Sequence, residues 1–255
     1  MKIFGLDFCQ CNLDAGAELV VEAGIKRQKC LVVTPNVDHI VKLSDDEGMR
    51  NIYRQAALVF ADGMPLVWLS KVLPGKGLPA RVTGADLVPL ICRKAAQEGL
   101  KVFFLGGNEG VAERAAKRLR DKYNGLMIET YSPTFGFENN REINAEIIGL
   151  CNQFKPDIFF IGVGTPKQEK WAWSQINKLD TGPMVCVGAS FDFIAGTIRR
   201  APLLFQRIGF EWFWRLLQEP RRLSKRYLLR GPRFLFLSIR EFWLQWQREI
   251  SMGSG

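Results

Sequence analysis

Short apolar runs rich in β-branched and aromatic residues recur along the first 198 residues, each followed by a glycine or polar loop and then by a stretch with apolar positions at helical spacing. The runs predict strands near residues 2–5, 30–34, 57–61, 101–105, 126–130, 157–163 and 183–188. Between them the spacing predicts helices over 84–98, 109–123, 139–154 and 166–179. Thr83-Gly84-Ala85-Asp86 supplies a start for the first of these, and Pro166 sits in the first turn of the last. Such alternation is expected of a mostly parallel sheet joined by crossover helices, a Rossmann-like α/β fold.

After Pro202 the pattern changes to apolar and aromatic segments, LLFQRIGFEWFWRLL and RFLFLSIREFWLQW, interrupted by arginines and by Pro220 and Pro232. The chain is therefore expected to divide into a core, residues 1–198, and a helical membrane-association appendage, residues 199–250. Arg240 and Glu241 break the longest apolar stretch, which leaves it short of the ~20 apolar residues a spanning helix needs. The appendage is expected to lie on a membrane rather than cross it. Residues 251–255 are expected to be unstructured.

Charge sharpens this division. Residues 1–198 hold 23 Lys and Arg against 22 Asp and Glu, whereas residues 199–255 hold 12 against 4, so most of the net charge of +9 belongs to the appendage. The appendage also carries 11 of the 29 aromatic residues, which makes its partner a membrane surface, a nucleic acid or a phosphorylated ligand. Its arginines alternate with bulky apolar side chains and form no nucleic-acid-binding motif, so a bilayer surface is the expected partner and nucleic acid is not. The same apolar segments could also pair with a second copy of the chain. Six cysteines without repeated spacing, and no secretory leader at the start, point to reduced thiols in the cytoplasm. His39 is the sole histidine and there is no CxxC or HExxH, so neither a metal nor another cofactor is expected.

A parallel sheet gathers its ligand outside the carboxyl ends of its strands, which directs attention to the residues just after each predicted run. These include Thr34-Pro35-Asn36, Asp62-Gly63-Met64-Pro65, Gly162-Val163-Gly164-Thr165-Pro166-Lys167-Gln168-Glu169 and Gly188-Ala189-Ser190-Phe191-Asp192. The glycine-rich turn at 162–164 feeds a helix whose N-terminus would favour a phosphate; a tight turn with Pro166 as helix starter is the alternative, and Thr165, Lys167 and Gln168 together at the ligand edge favour the phosphate. Asp62 is placed to accept a proton from a substrate hydroxyl or to cap the following helix. Thr34 and Asn36 are placed to orient a sugar or to cap the helix near Asp38, and Asp192 to bind a ribose or base or to close a turn. Gly106-Gly107-x-x-Gly110 is misspaced for a dinucleotide fingerprint, which disfavours nicotinamide chemistry. In the appendage, Arg215, Arg222 and Arg226 would share a helical face, either toward lipid headgroups or toward a diphosphate leaving group.

TPNVDH, ADGMP, RVTGADL, GVGTPKQE, GASFDFIAG and EWFWRLLQEPRRLSKRYL, in this order, resemble the WecG/TagA/CpsF family of bacterial glycosyltransferases over about residues 1–230. The resemblance implies an inverting transfer of N-acetylmannosamine or its uronic acid from a UDP donor to an undecaprenyl-diphosphate-linked sugar, at the cytoplasmic face of the membrane, in cell-surface polysaccharide synthesis. It implies Asp62 as general base, Thr34 and Asn36 as holders of sugar or acceptor, Arg81 as a phosphate or acceptor contact, and Gln168 as orienter of the donor. Gly164, Thr165, Gly188 and Asp192 fall by the same logic to the uridine and diphosphate, and Arg215, Arg222 and Arg226 to the diphosphate and membrane. Many UDP-sugar transferases hold a divalent ion with an Asp-x-Asp pair, and none occurs here, so the transfer is expected to be metal-independent. Glucosyl or glucuronosyl transfer, or nucleotide-sugar and lipid binding without turnover, are the alternatives. Residues 231–250 have no counterpart in these motifs.

Overall fold

The computed structural model describes residues 1–202, 204–205 and 209–253. A small antiparallel hairpin, β1 (Lys2–Ile3) and β2 (Leu6–Asp7), precedes α1 (Leu13–Ile25). The main sheet is built from β3 (Leu31–Val33), β4 (Leu58–Val59), β5 (Lys101–Gly106), β6 (Met127–Tyr131), β7 (Ile158–Gly162) and β8 (Met184–Cys186). These six strands are parallel and lie in the order β4-β3-β8-β7-β5-β6. The predicted strand at 2–5 is thus not part of the sheet: Phe4 and Gly5 both take positive φ and fold the segment back on itself.

Connecting helices cover both faces. They are α2 (Val37–Asp45), α3 (Glu47–Arg54), α4 (Met64–Val72), α5 (Gly84–Glu98), α6 (Val111–Lys122), α7 (Arg141–Phe154), α8 (Lys167–Gln175) and α9 (Ser190–Ala195). Because each central strand is buried on both sides, its sequence is a continuous apolar run, with alternate residues feeding two cores. Phe103, Leu105, Phe159 and Ile161 enter the core beneath α2, α3, α7 and α8, while Val102, Phe104, Ile158 and Phe160 enter the core beneath α1, α5, α6 and α9. Register aligns Phe103 with Phe159, whose rings stack at 5.1 Å, and Phe104 with Phe160, which meet edge to face at 5.5 Å.

The chain runs outward from β3 to β4, jumps to β5 and outward again to β6, then returns through β7 and β8 to fill the middle. The order therefore reverses around β3, β8 and β7, where the outgoing loops part and leave a crevice at the carboxyl edge.

The C-terminal region forms α10 (Glu211–Gln218) and α11 (Pro220–Gly253). Pro220 starts α11, as a proline in the first turn can. Pro232 was expected to interrupt this region but lies inside one continuous helix, and residues 251–253, expected to be unstructured, are its last turn. Residues 231–250, which had no place in the sequence pattern, lie along α2 and the hairpin. Phe234, Leu237 and Phe242 pack on the core, Glu241 Oε1 accepts the Phe4 N–H at 3.0 Å, and Gln245 Nε2 donates to the Lys2 carbonyl at 2.9 Å. Arg233 pairs with Asp45. Among the described residues no helix is long and apolar enough to cross a membrane.

Candidate active site

A cleft of about 620 Å³ opens at the reversal point, walled by the loops after β3, β4, β7 and β8 and roofed by α10 and α11. Its lining includes Thr34, Asn36, Asp62, Arg81, Gly164, Thr165, Gln168 and Gly188, so the structure gathers eight of the residues singled out in the sequence.

Backbone hydrogen bonds lace the motifs together. Asp62 N–H donates to the Pro35 carbonyl at 2.9 Å, and Val82 N–H donates to the Ala61 carbonyl at 2.8 Å, so the loop carrying Asp62 is held between the one carrying Thr34 and the one carrying Arg81. Gly63 then turns the chain into α4 with φ 130°, a conformation that a residue with a Cβ adopts only under strain. Gly63, not Asp62, is the N-cap of α4, and no side chain caps that helix. Capping is therefore not what Asp62 does.

Other positions carry structural duties as well. The Thr34 hydroxyl donates to the Cys186 carbonyl at 3.1 Å, tying β3 to β8. Asn36 caps α2: its Oδ1 accepts from the N–H of Asp38 at 3.0 Å and of His39 at 3.4 Å. Gln168, 2% exposed, bridges two loops, with Oε1 accepting the N–H of Gly164 at 3.3 Å and of Gly188 at 3.1 Å. Its Nε2 donates to Glu169 Oε1 at 2.9 Å. Asp192 does not line the cleft; it sits in the first turn of α9, where its carboxylate and carbonyl accept from Thr197 and close the end of that short helix. Turn closure is the geometry of Asp192.

Charge reaches the cleft from both parts of the chain. Arg81 Nη1 donates to Glu211 Oε2 at 2.6 Å, and Arg200 grips Asp86 with two bonds at 2.5 and 2.8 Å while its Nε lies 3.4 Å from Glu211 Oε1. Burial alone would raise the Asp86 carboxyl, but Arg200, with Thr83 and Arg81, holds it below the ordinary carboxylate range. On the opposite wall, Lys42 Nζ lies 3.1 Å from Asp38 Oδ2 and donates to the Thr165 carbonyl at 2.9 Å, and Arg230 of α11 pairs with the same Asp38. The side chains of Arg215, Arg222 and Arg226 lie outside the described residues. Arg230, which continues the four-residue step from Arg222 and Arg226, is the appendage arginine that lines the cleft among the described residues. Extending that step by one would have found it in the sequence.

Beneath the cleft lies a buried polar group that the sequence did not single out. Tyr53 of α3 donates to Glu169 Oε1 at 2.9 Å, and His39 Nε2 lies 3.8 Å from the same oxygen. Burial pushes the Glu169 carboxyl above, and the Tyr53 hydroxyl well above, their ordinary ranges.

The family model described as "Glycosyl transferase WecG/TagA/CpsF family" matches residues 1–248, and so extends through most of α11. N-acetylglucosaminyldiphosphoundecaprenol N-acetyl-beta-D-mannosaminyltransferases of Staphylococcus aureus strains MW2 and NCTC 8325 are each 27% identical to this chain over 227 residues, 88% of this chain and 87% of theirs.

Proposed function

Because the chain belongs to the WecG/TagA/CpsF family of glycosyl transferases, we propose that it moves a sugar of the N-acetylmannosamine type, or its uronic acid, from UDP to an undecaprenyl-diphosphate-linked sugar, with inversion and without a metal ion. The observation that carries this reading is the meeting, in one cleft, of Asp62 with the glycine loops after β7 and β8 and with cationic side chains from core and appendage. The acceptor and the sugar transferred follow the names of the staphylococcal relatives, N-acetyl-beta-D-mannosaminyltransferases that act on N-acetylglucosaminyldiphosphoundecaprenol, while UDP as the carrier is part of the proposal.

In the proposed reaction the Asp62 carboxylate takes the proton of the acceptor hydroxyl as that oxygen attacks the anomeric carbon. The bond from the anomeric carbon to the UDP oxygen breaks on the opposite side, and the electron pair leaves with UDP. Developing negative charge on the diphosphate faces the Gly164–Gln168 turn at the start of α8 and the cations Arg81, Lys42 and Arg230. A charge-assisted exchange, in which phosphate oxygens replace Glu211 on Arg81 or Asp38 on Arg230, would couple donor binding to the seating of the appendage. The exposed apolar side chains of α10 and α11, Trp212, Leu217, Leu235, Ile239, Trp243 and Trp246 among them, support a peripheral seat on a membrane, proposed here at its cytoplasmic face.

UDP release measured with a panel of UDP-sugars, a polyprenyl-diphosphate N-acetylglucosamine acceptor in bilayers, and EDTA throughout tests this reading. Acceptor-dependent release that falls about 10²- to 10⁴-fold in Asp62→Asn, with UDP affinity retained, is the expected result. Release abolished by EDTA and restored by a divalent ion would overturn metal independence. UDP binding without release from any donor would leave a binding protein in its place.

A further inference from the structure

Glu169 is 1% exposed, and its two oxygens are unequally served. Oε1 accepts from the Tyr53 hydroxyl and from Gln168 Nε2, each at 2.9 Å, whereas Oε2 has no hydrogen-bond partner. The Thr165 hydroxyl is beside both this carboxyl and the Tyr53 hydroxyl, and its Oγ1 is likewise buried, without a hydrogen bond of ordinary length and angle. The Thr165 hydroxyl can donate to Oε2 or receive a proton from it, so this contact is met by an ionised or a neutral carboxyl. Burial without an ion pair to Lys or Arg among the described residues favours the neutral form, in which Glu169 Oε2–H donates to Thr165 Oγ1. The surroundings agree with a neutral acid. Among the described residues, the titratable or charged groups that face it are Tyr53 from α3, His39 from α2, at 3.8 Å, and Cys186 from β8, while Lys42 of α2 donates to the Thr165 carbonyl. Burial also favours the uncharged form of the carboxyl.

The consequence is carried by Gln168. An amide can face either way, and here Glu169 Oε1, as acceptor, fixes Nε2 on its own side. Gln168 Oε1 is thereby left to receive the N–H groups of Gly164 and Gly188, the two glycines that bring the loops after β7 and β8 to the cleft. We propose that Glu169 is a positioning residue: as a neutral carboxylic acid it sets the Gln168 amide and anchors Thr165, and so holds both glycine loops in the spacing that receives the nucleotide diphosphate. This rests on the proposed donor site and names the residue beneath it that organises it.

The test compares Glu169→Gln with Glu169→Ala in the full-length protein. A glutamine reproduces the neutral acid, since its carbonyl oxygen accepts from Tyr53 and Gln168 and its amide donates to Thr165. Expected is a UDP Kd and a donor KM within about threefold of wild type for Glu169→Gln, and a rise of about tenfold or more in both for Glu169→Ala, with kcat at saturating donor changed less. Glu169→Gln as impaired as Glu169→Ala would mean that an ionised carboxylate acts there, and unchanged Kd and KM in Glu169→Ala would mean that the carboxyl does not position the loops; either overturns the proposal. Should Glu169→Ala fail to fold, infrared difference spectra of wild type against Glu169→Gln at neutral pH decide the matter: a protonated carboxyl band lost in the variant supports the proposal, and its absence overturns it. A wild-type protein that binds UDP without transferring sugar would sink the catalytic reading while leaving the Kd comparison and the spectrum intact.

Discussion

At the residue scale, the cleft depends on how closely the ends of the central strands approach. Gly162 closes β7, and a Cβ placed there would stand 2.7 Å from the Phe191 ring and 2.8 Å from the Gly188 carbonyl oxygen. Phe191 is itself fully buried and stacked on Phe104 at 4.4 Å, so it has nowhere to retreat. Gly162→Ala should therefore push the β8 loop away from β7, stretching the Gln168 bridge between Gly164 and Gly188. A loss of about 1 to 3 kcal/mol is expected in chemical unfolding, together with weaker UDP binding in calorimetry. The buried carboxyl of Glu169 adds a pH effect of known sign. Its pKa is raised in the folded protein, so the stability linked to its neutral form is complete below the ordinary glutamate range and declines as pH rises toward the folded value. Glu169→Gln should lack that decline, and its melting temperature should gain on wild type as the pH is raised from acid to neutral. Equal pH dependence in the two proteins would count against a neutral carboxyl.

At the scale of elements, α10 is latched to the core by ions rather than by apolar contact alone. Glu211 of α10 receives Arg81 and Arg200, and Arg200 in turn grips Asp86 in the first turn of α5. The Asp86 carboxyl is held below its ordinary range, so its contribution is present above that range and is lost as pH falls through the lowered value. Asp86→Asn should cost about 2 kcal/mol at neutral pH, read by denaturant unfolding, and should flatten the acid limb of the stability profile. Much of this level was legible in advance. The strands of the main sheet and α5 fall where continuous apolar runs and the Thr83 start place them, because burial on both faces leaves a strong pattern. The hairpin was not legible, since Lys2–Asp7 has the composition of a strand and only the backbone turn at Phe4-Gly5 divides it. Nor was the continuity of α11 through Pro232, where contacts with α2 and the hairpin outweigh the missing hydrogen bond. For the cleft, loop motifs after strands disclosed Asp62 and the two glycine loops, because position in a parallel sheet locates a ligand edge, whereas Arg81 came only from the family resemblance. Tyr53 stayed hidden, and Glu169, Asp38 and Glu211, though inside quoted motifs, had no role assigned. The partners that define them, Tyr53 with Glu169, Arg81 with Glu211 and Arg230 with Asp38, lie far apart in sequence, and only folding brings them together.

At the scale of the whole molecule, the C-terminal region joins two surfaces of opposite character. One side of α11 packs Phe234, Leu237 and Phe242 on the core and sets Arg230 in the cleft. The other exposes Leu235, Ile239, Trp243, Trp246 and Ile250, which recur at steps of three and four and so form a single stripe, flanked by the basic residues Arg240 and Arg248. An exposed apolar stripe with this flanking charge fits the interfacial region of a bilayer, where each cation near an anionic surface is worth about 1 kcal/mol. The proposed acceptor is lipid-linked, so a stripe resting on the membrane would keep the enzyme on the surface that holds its acceptor. Replacing Leu235, Ile239 and Trp243 together by serine removes apolar surface from the outer face without touching the packed one. The full-length variant should unfold with nearly the wild-type midpoint, since these side chains have little to lose on exposure. Its sedimentation with vesicles containing anionic lipid should fall by about tenfold or more, and transfer to a bilayer-embedded acceptor should fall with it, while transfer to a short-chain, water-soluble acceptor should persist. Vesicle binding unchanged by the three serines would assign the stripe to something other than lipid. Loss of transfer to both acceptors, with binding intact, would make α11 part of the reaction site and not a membrane seat.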